Sequence, residues 1–443
     1  MVFSSIEFIF VFLPLFLLSY YMMPGRLRNT WLFAGSVLFY TFGSLQQPEH
    51  VALFVISMLF NYFMGRMLAK YDNGFCFLVG VGVNLLYLGS FKYMLQVLPI
   101  GISFYTFQAI SYLCDVRSGK CRAEKSFVNF GTYLSMFPQL IAGPIVQYPI
   151  VSNQIHKRNY HLHNFIQGLQ IFILGLGSKV LLANQVGVLW RQLSVIGYDS
   201  ISTPLAWLGL LAYTFQIYFD FWGYSLMAIG LGKMLGFELT QNFDYPYLST
   251  SMTEFWRRWH ITLGSWFREY VYIPLGGNRG SKAKTYRNLF IVWLLTGIWH
   301  GASWNFVLWG LLLFVLIAVE KAGWKHVLDR YRLLGHLYMM VVIPLSWAVF
   351  AHNEWGKLTC FFGRLFGVGE VTGCVYTGDY IKYGREYGLC LLLCLLFTTR
   401  IPQKLWKRLK RTYTGQIILA GIFVGVVYCL YIGLDNPFLY YQF

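Results

Sequence analysis

Ten apolar stretches punctuate this chain, at about 5–23, 30–45, 51–65, 75–96, 100–116, 165–186, 203–228, 337–351, 386–399 and 413–434. A helix needs roughly 20 mostly apolar residues to cross about 30 Å of hydrocarbon. A lipid interior admits only backbones that satisfy their own hydrogen bonds, so runs of this kind confine the chain to helices. The composition agrees: 57% of the 443 residues are hydrophobic and only 12% are charged, about half the charged share of a soluble domain. The expected architecture is all-α. It is a polytopic membrane helical bundle of about 10–11 transmembrane helices, with re-entrant and interfacial helices besides. The whole chain, 1–443, reads as one membrane domain, with N-terminal helices in 1–120, a core in 121–320 and C-terminal helices in 321–443.

Lys and Arg in short loops mark the cytoplasmic side. They stand at Arg26/Arg28, Arg66/Lys70, Arg117–Lys125, Lys157/Arg158, Arg279–Arg287 and most densely between Arg400 and Arg411. The loop at 44–50 has none and fits the outer face. With the N-terminus outside, the first five spans alternate consistently, the 400–411 run lies inside and Phe443 lies outside. The apolar start, Phe3 to Met23, lacks a basic leader and a small-residue cleavage site, and is expected to stay as a first span.

Two segments fail as simple crossings. Residues 126–150 lie between two basic loops and contain Pro138, Gly143 and Pro144, which suits a re-entrant hairpin. Residues 288–319 are likewise flanked by basic residues. Two crossings need about 40 residues, and this stretch has 32, so a broken or re-entrant hairpin is expected. Irregular backbone at membrane depth survives only against protein or a wet cavity, which would put His300 at the bottom of one.

Ionisable groups within apolar segments are costly and mark function by default. His300, His260, Asp220 and Lys179 stand out. His300 lies among small residues in T-G-I-W-H-G-A-S-W-N-F, either as an interhelical histidine bonded to a carbonyl or as a reactive imidazole. His260 lies in F-W-R-R-W-H-I-T-L-G-S-W-F-R-E-Y, where Phe255, Trp259, Trp266 and Tyr270 recur at helical spacing. That stripe reads as an interfacial anchor on anionic lipid. The other reading is a cytoplasm-facing helix whose Arg257, Arg258 and Arg268 hold a phosphate-bearing donor while His260 points inward. Asp220 is expected to bond a tyrosine or to pair with Lys179, with a proton-relay role as the other reading. Of the remaining histidines, His50, His156, His161, His163, His326 and His352 read as polar-loop residues.

None of the eight cysteines forms a C-x-x-C pair or lies near a histidine at metal-ligand spacing, so neither a disulfide framework nor a metal site is expected. The phosphate-binding, nucleophile-elbow and zinc-helix motifs are missing, which argues against ATP-driven transport and serine hydrolysis. Each basic run flanks a span, so the charge of +17 reads as membrane-surface charge and nucleic acid is not an expected partner.

The segments 255–279 and 296–310 together resemble the membrane-bound O-acyltransferase family, in particular its bacterial branch that serves alginate O-acetylation. M-V-F-S-S, P-I-G-I-S-F-Y-T-F-Q (99–108), F-P-Q-L-I-A-G-P-I-V (137–146), Y-F-D-F-W-G-Y-S (218–225), N-F-D-Y-P-Y (242–247) and P-F-L-Y-Y-Q-F (437–443) extend the likeness along essentially the whole chain. The resemblance implies a catalytic core in 121–320 around a central tunnel open to both faces, in a bacterial cytoplasmic membrane. It implies His300 as the catalytic base and His260 as the second family histidine. The implied reaction moves an acetyl or other short acyl group from a cytoplasmic thioester, acetyl-CoA or an acyl-carrier protein, for O-acetylation of an exported or cell-wall polysaccharide. No bound cofactor is implied. The implied partners are that donor, a separate extracytoplasmic acetyltransferase and the polysaccharide acceptor.

On this reading His260, Trp299 or Asn305 would stabilise the oxyanion, and Arg257, Arg258 and Arg268, beside Trp259, would line the donor's path. An acyl-histidine intermediate is the other chemical route. Two further readings stand beside it: D-alanyl transfer to teichoic acid by the sister family, and a proton-coupled transporter with no covalent chemistry.

Overall fold

The computed structural model describes residues 2–71, 73–95, 97–141, 143–158, 160–368 and 376–433. Cys374 and the ending 437–443 lie outside them. Every regular element among the described residues is helical. Among the described residues six helices are long and apolar enough to cross a membrane, and a seventh crossing follows if Asp379–Phe397 and Ile401–Leu409, bent by 78°, form one broken span. The other expected spans are also helices, but shorter, as in Phe8–Met22, or interrupted by polar residues. The protein is a multi-pass membrane protein.

The described residues form two compact units: 2–176 with 224–241, and 177–223 with 242–433. The first contains helix α1 (Ile102–Arg117), buried along nearly its whole length, and helix α2 (Phe127–Ser135). After α2 the chain breaks at Met136, makes one short turn over Phe137–Leu140 and reaches its next helix at Tyr148. Within residues 126–150 the rings of Tyr133 and Tyr148, on either side of this break, lie 5.1 Å apart. The loop ahead of this segment is tied down by Glu124. One of its carboxylate oxygens accepts the N–H groups of Lys125 (2.8 Å) and Ser126 (2.9 Å). The other accepts the Tyr148 hydroxyl at 2.5 Å and lies 3.0 Å from His156 Nε2. Burial raises the Glu124 pKa, but these donors outweigh it and hold the carboxyl below its ordinary value.

The second unit carries the segment richest in candidate residues. Helix α3 (Thr203–Met234) contributes its residues 203–223. Two short helices follow, α4 (Met252–Arg258) and α5 (Ile261–Phe267), then α6 (Lys282–His300), α7 (Trp304–Val319) and α8 (Arg332–Ala351). Helices α6 and α7 form a hairpin joined by Gly301–Ser303. A Cβ at Gly297 would lie 2.5 Å from the Phe306 carbonyl oxygen, and one at Gly310 would lie 2.5 Å from that of Trp293. The two backbones thus touch, as small residues allow between membrane helices. Helix α6 begins at Lys282 and the helix containing α7 runs on to Arg330, so the hairpin's helices extend beyond the 32 residues of the apolar stretch.

Three sequence expectations need correction. His50 is 4% exposed within the Glu49–Tyr71 helix, and His352 is 5% exposed just past α8, so neither is a polar-loop residue. The aromatic stripe through His260 is not one helix lying in the interface. It breaks at His260, whose φ of 45° is left-handed, and Trp259 and Trp266 are buried.

Candidate active site

His300 is the last residue of α6, because Gly301 continues in an extended conformation (φ 176°) and no helical turn follows. It is 4% exposed. Its imidazole packs against four rings at centroid distances of 4.7 Å (Trp299), 5.0 Å (Trp309), 5.1 Å (Phe350) and 6.3 Å (Phe306). Three of these contacts are steeply tilted, at 70–87°, the arrangement that ring quadrupoles favour.

Asn305 fixes this shell. Its Nδ2 donates to the Val349 (3.3 Å) and Phe350 (2.8 Å) carbonyl oxygens, which are among the last carbonyls of α8 and lack intrahelical partners. The hairpin tip is thereby clamped to the end of α8, and Phe350 is held against His300. Both amide hydrogens are spent in doing so, which leaves Asn305 Oδ1 as an acceptor. That oxygen is buried and has no hydrogen-bond donor among the described residues.

His260 is built differently. Asn242 Oδ1 accepts from the Thr262 N–H (3.3 Å), the Thr262 hydroxyl (3.0 Å) and His260 Nδ1 (3.1 Å). The backbone of the same segment adds Ile261 N–H to the Asn242 carbonyl at 2.9 Å and Asp244 N–H to the Arg258 carbonyl at 3.0 Å. This two-segment clip holds the left-handed turn. Burial pushes the His260 imidazole down to about 3, so it is neutral at physiological pH. Its one hydrogen lies on Nδ1, since the Asn242 oxygen facing it can only accept. Phe221 of α3 covers the ring edge to face at 4.6 Å.

A ladder of rings joins the two histidine regions: Trp259 to Trp347 (4.9 Å), Trp347 to Trp309 (5.9 Å) and Trp309 to His300 (5.0 Å). Trp256 adds a further rung at 5.5 Å from Trp309. The start of α4 is fixed from outside the helix. Glu320, 1% exposed, accepts the Met252 (2.5 Å) and Thr253 (2.9 Å) N–H groups and the Thr253 hydroxyl (2.7 Å), so its charge meets the positive end of the helix.

The arginines occupy separate settings. Arg258 pairs with Glu254 at 2.6 Å, Arg268 lies 3.6 Å from Glu269, and Arg257 and Arg268 are exposed. Asp220 Oδ1 lies 2.7 Å from Lys179 Nζ, which also donates to Asn184 at 2.9 Å. Sequence reasoning gave no role to Asn242, Glu320, Trp309, Trp347 or Phe350. Asn242 was visible within N-F-D-Y-P-Y, and Glu320 as the acid closing the apolar run I-A-V-E. Neither gave any sign of its distant partner.

The model of the membrane-bound O-acyltransferase family matches residues 122–351. The probable alginate O-acetylase AlgI of Azotobacter vinelandii is 38% identical over 400 residues, covering 84% of this chain and 79% of that protein. The peptidoglycan O-acetyltransferase of Helicobacter pylori is 34% identical over 436 residues, covering 84% and 81%. The teichoic acid D-alanyltransferase of Streptococcus thermophilus is 30% identical over 240 residues, covering 50% and 57%. This chain belongs to the membrane-bound O-acyltransferase family, and it is an enzyme of acyl transfer.

Proposed function

We propose that the protein moves an acetyl group from a cytoplasmic thioester, acetyl-CoA or an acyl-carrier protein, through the membrane plane for O-acetylation of an exported or cell-wall polysaccharide. Its place is the cytoplasmic membrane of a bacterium. A separate extracytoplasmic acetyltransferase and the polysaccharide are its partners, and Arg257, Arg258 and Arg268 meet the donor's phosphates. The observation that carries this reading is His300, held by four aromatic rings at the tip of the α6–α7 hairpin.

His300 serves as general base. It takes the proton of the attacking hydroxyl while that oxygen bonds to the thioester carbonyl carbon. The carbonyl electrons move onto oxygen, then return as the carbon–sulfur bond breaks. The departing thiolate takes the proton back from His300. Ester and thiol are the products, and no charge is left behind.

Similarity to alginate and peptidoglycan O-acetylating relatives over 84% of the chain supports acetyl as the group and a polysaccharide as its destination. The second reading, D-alanyl transfer to teichoic acid, draws on the Streptococcus relative, which covers 50% of the chain. Mild alkali releases either group from the exported polymers of cells with and without the gene. Acetate that depends on the gene supports the first reading. Alanine in its place supports the second, and a polymer unchanged in both sinks acyl transfer to polymer altogether.

A further inference from the structure

The oxyanion formed on the thioester carbonyl needs a hydrogen-bond donor, and two of the candidates, His260 and Asn305, are committed elsewhere. His260 spends its single ring hydrogen on Asn242. Asn305 spends both amide hydrogens on Val349 and Phe350. Trp309 does not. It is 1% exposed, and its indole N–H is buried with no acceptor among the described residues. An indole nitrogen can only donate, and when buried it normally finds a partner. Trp309 also stands directly against the base: its ring and the His300 imidazole meet edge to face at 5.0 Å and 87°.

The position of Trp309 is fixed from several sides. Trp347 stacks on it at 5.9 Å, Phe350 packs at 5.1 Å and Trp256 at 5.5 Å. The next residue, Gly310, brings α7 against the backbone of α6. A donor so constrained cannot reorient to find a partner, which is the preorganisation that stabilises developing charge in a dry site.

We propose that the indole N–H of Trp309 is the oxyanion donor of the acyl-transfer reaction, a catalytic residue beside His300. The proposal rests on the reading of His300 as base. As the hydroxyl oxygen adds to the carbonyl carbon and His300 takes its proton, the negative charge on the carbonyl oxygen is met by Trp309 N–H. When the carbon–sulfur bond breaks the hydrogen bond relaxes, and Trp309 neither gains nor loses a proton.

The test replaces Trp309 with benzothienylalanine by codon suppression, which keeps the bicyclic shape and exchanges N–H for sulfur. A fluorotryptophan at the same position keeps the N–H and serves as the rescue. Trp299, also beside His300, receives the same exchange. Cells are fed labelled acetate, so that the donor need not be known, and alkali-labile acetyl on exported polymer is followed, with thermal unfolding of each purified variant alongside. Removing the N–H at 309 is expected to cut the rate about 10²-fold or more at unchanged stability, with the fluorotryptophan close to wild type. A benzothienylalanine variant within a few-fold of wild type overturns the proposal, as does a loss at 299 with none at 309. His300→Ala in the same assay separates the two claims. If it keeps its activity, the reading of the base fails. If it is inactive while the 309 exchange is silent, only the oxyanion assignment fails.

Discussion

Asn242 and His260, 18 residues apart in sequence, lock each other: Asn242 Oδ1 accepts His260 Nδ1–H at 3.1 Å while also accepting two donors from Thr262. The Thr262 backbone N–H fixes which end of the Asn242 amide faces the ring. That choice in turn fixes the tautomer of His260 and leaves Nε2 with its lone pair. Asn242→Leu removes the acceptor from three buried donors. It is expected to cost roughly 2–4 kcal/mol, given about 1–3 for each orphaned buried donor and some relaxation. Thermal unfolding in detergent reads the loss, and a variant as stable as wild type would refute the clip.

The same burial gives a pH dependence. The His260 imidazole has its pKa lowered to about 3 in the folded chain, whereas an unfolded histidine titrates near 6.5. Below about pH 6.5 the unfolded state binds the extra proton, so stability falls as pH drops from there toward 3. Glu124, held below the ordinary carboxylate value, adds a second loss at still lower pH. Unfolding temperatures from pH 7.5 to 5 are expected to decline, and less steeply in His260→Gln. Equal slopes would remove His260 from the explanation.

Lys179 and Asp220, both almost fully buried, form a pair whose halves depend on each other. Removing one partner of such a pair leaves an uncompensated charge and typically costs about 3–5 kcal/mol. Asp220→Asn alone is therefore expected to lose most folded protein, and Lys179→Met with Asp220→Asn to recover much of it. If the double variant is worse than either single change, the pair does more than balance charge.

Gly297 allows no side chain, because a Cβ there meets the Phe306 carbonyl at 2.5 Å. Gly297→Ala must push α7 away from α6 and so shift Trp309 and Asn305 around His300. Overpacking of this kind costs about 1–3 kcal/mol. Activity is expected to fall further than stability does, measured as ester formed per folded molecule. Full activity would mean the hairpin spacing does not set the site.

The helical architecture was largely readable because apolar length acts locally. The apolar runs placed helices, and Pro138, Gly143 and Pro144 announced the break in 126–150. The full extent of the hairpin was hidden because its helices continue into charged ends, Lys282 to Arg287 and Glu320 to Arg330, which hydropathy assigns to water. The break at His260 was hidden because the spacing of Phe255, Trp259 and Trp266 fits a helix. The force that breaks that helix comes from Asn242, outside any local window. His352 was misread for a similar reason. Its Nδ1 donates to Ala348 at 2.8 Å, and Trp190, Tyr198 and Phe361 close over it, none of which its polar sequence neighbours reveal.

The central claim is that His300 is the base of the acyl transfer. Its most direct test compares wild type with His300→Ala for the initial rate of labelled acetyl ester appearing on exported polymer, at matched amounts of folded protein. A positioned base is worth about 10²–10⁴-fold, so the rate per folded molecule should fall by at least that lower figure. A folded His300→Ala protein that transfers acetyl within a few-fold of wild type would contradict the account.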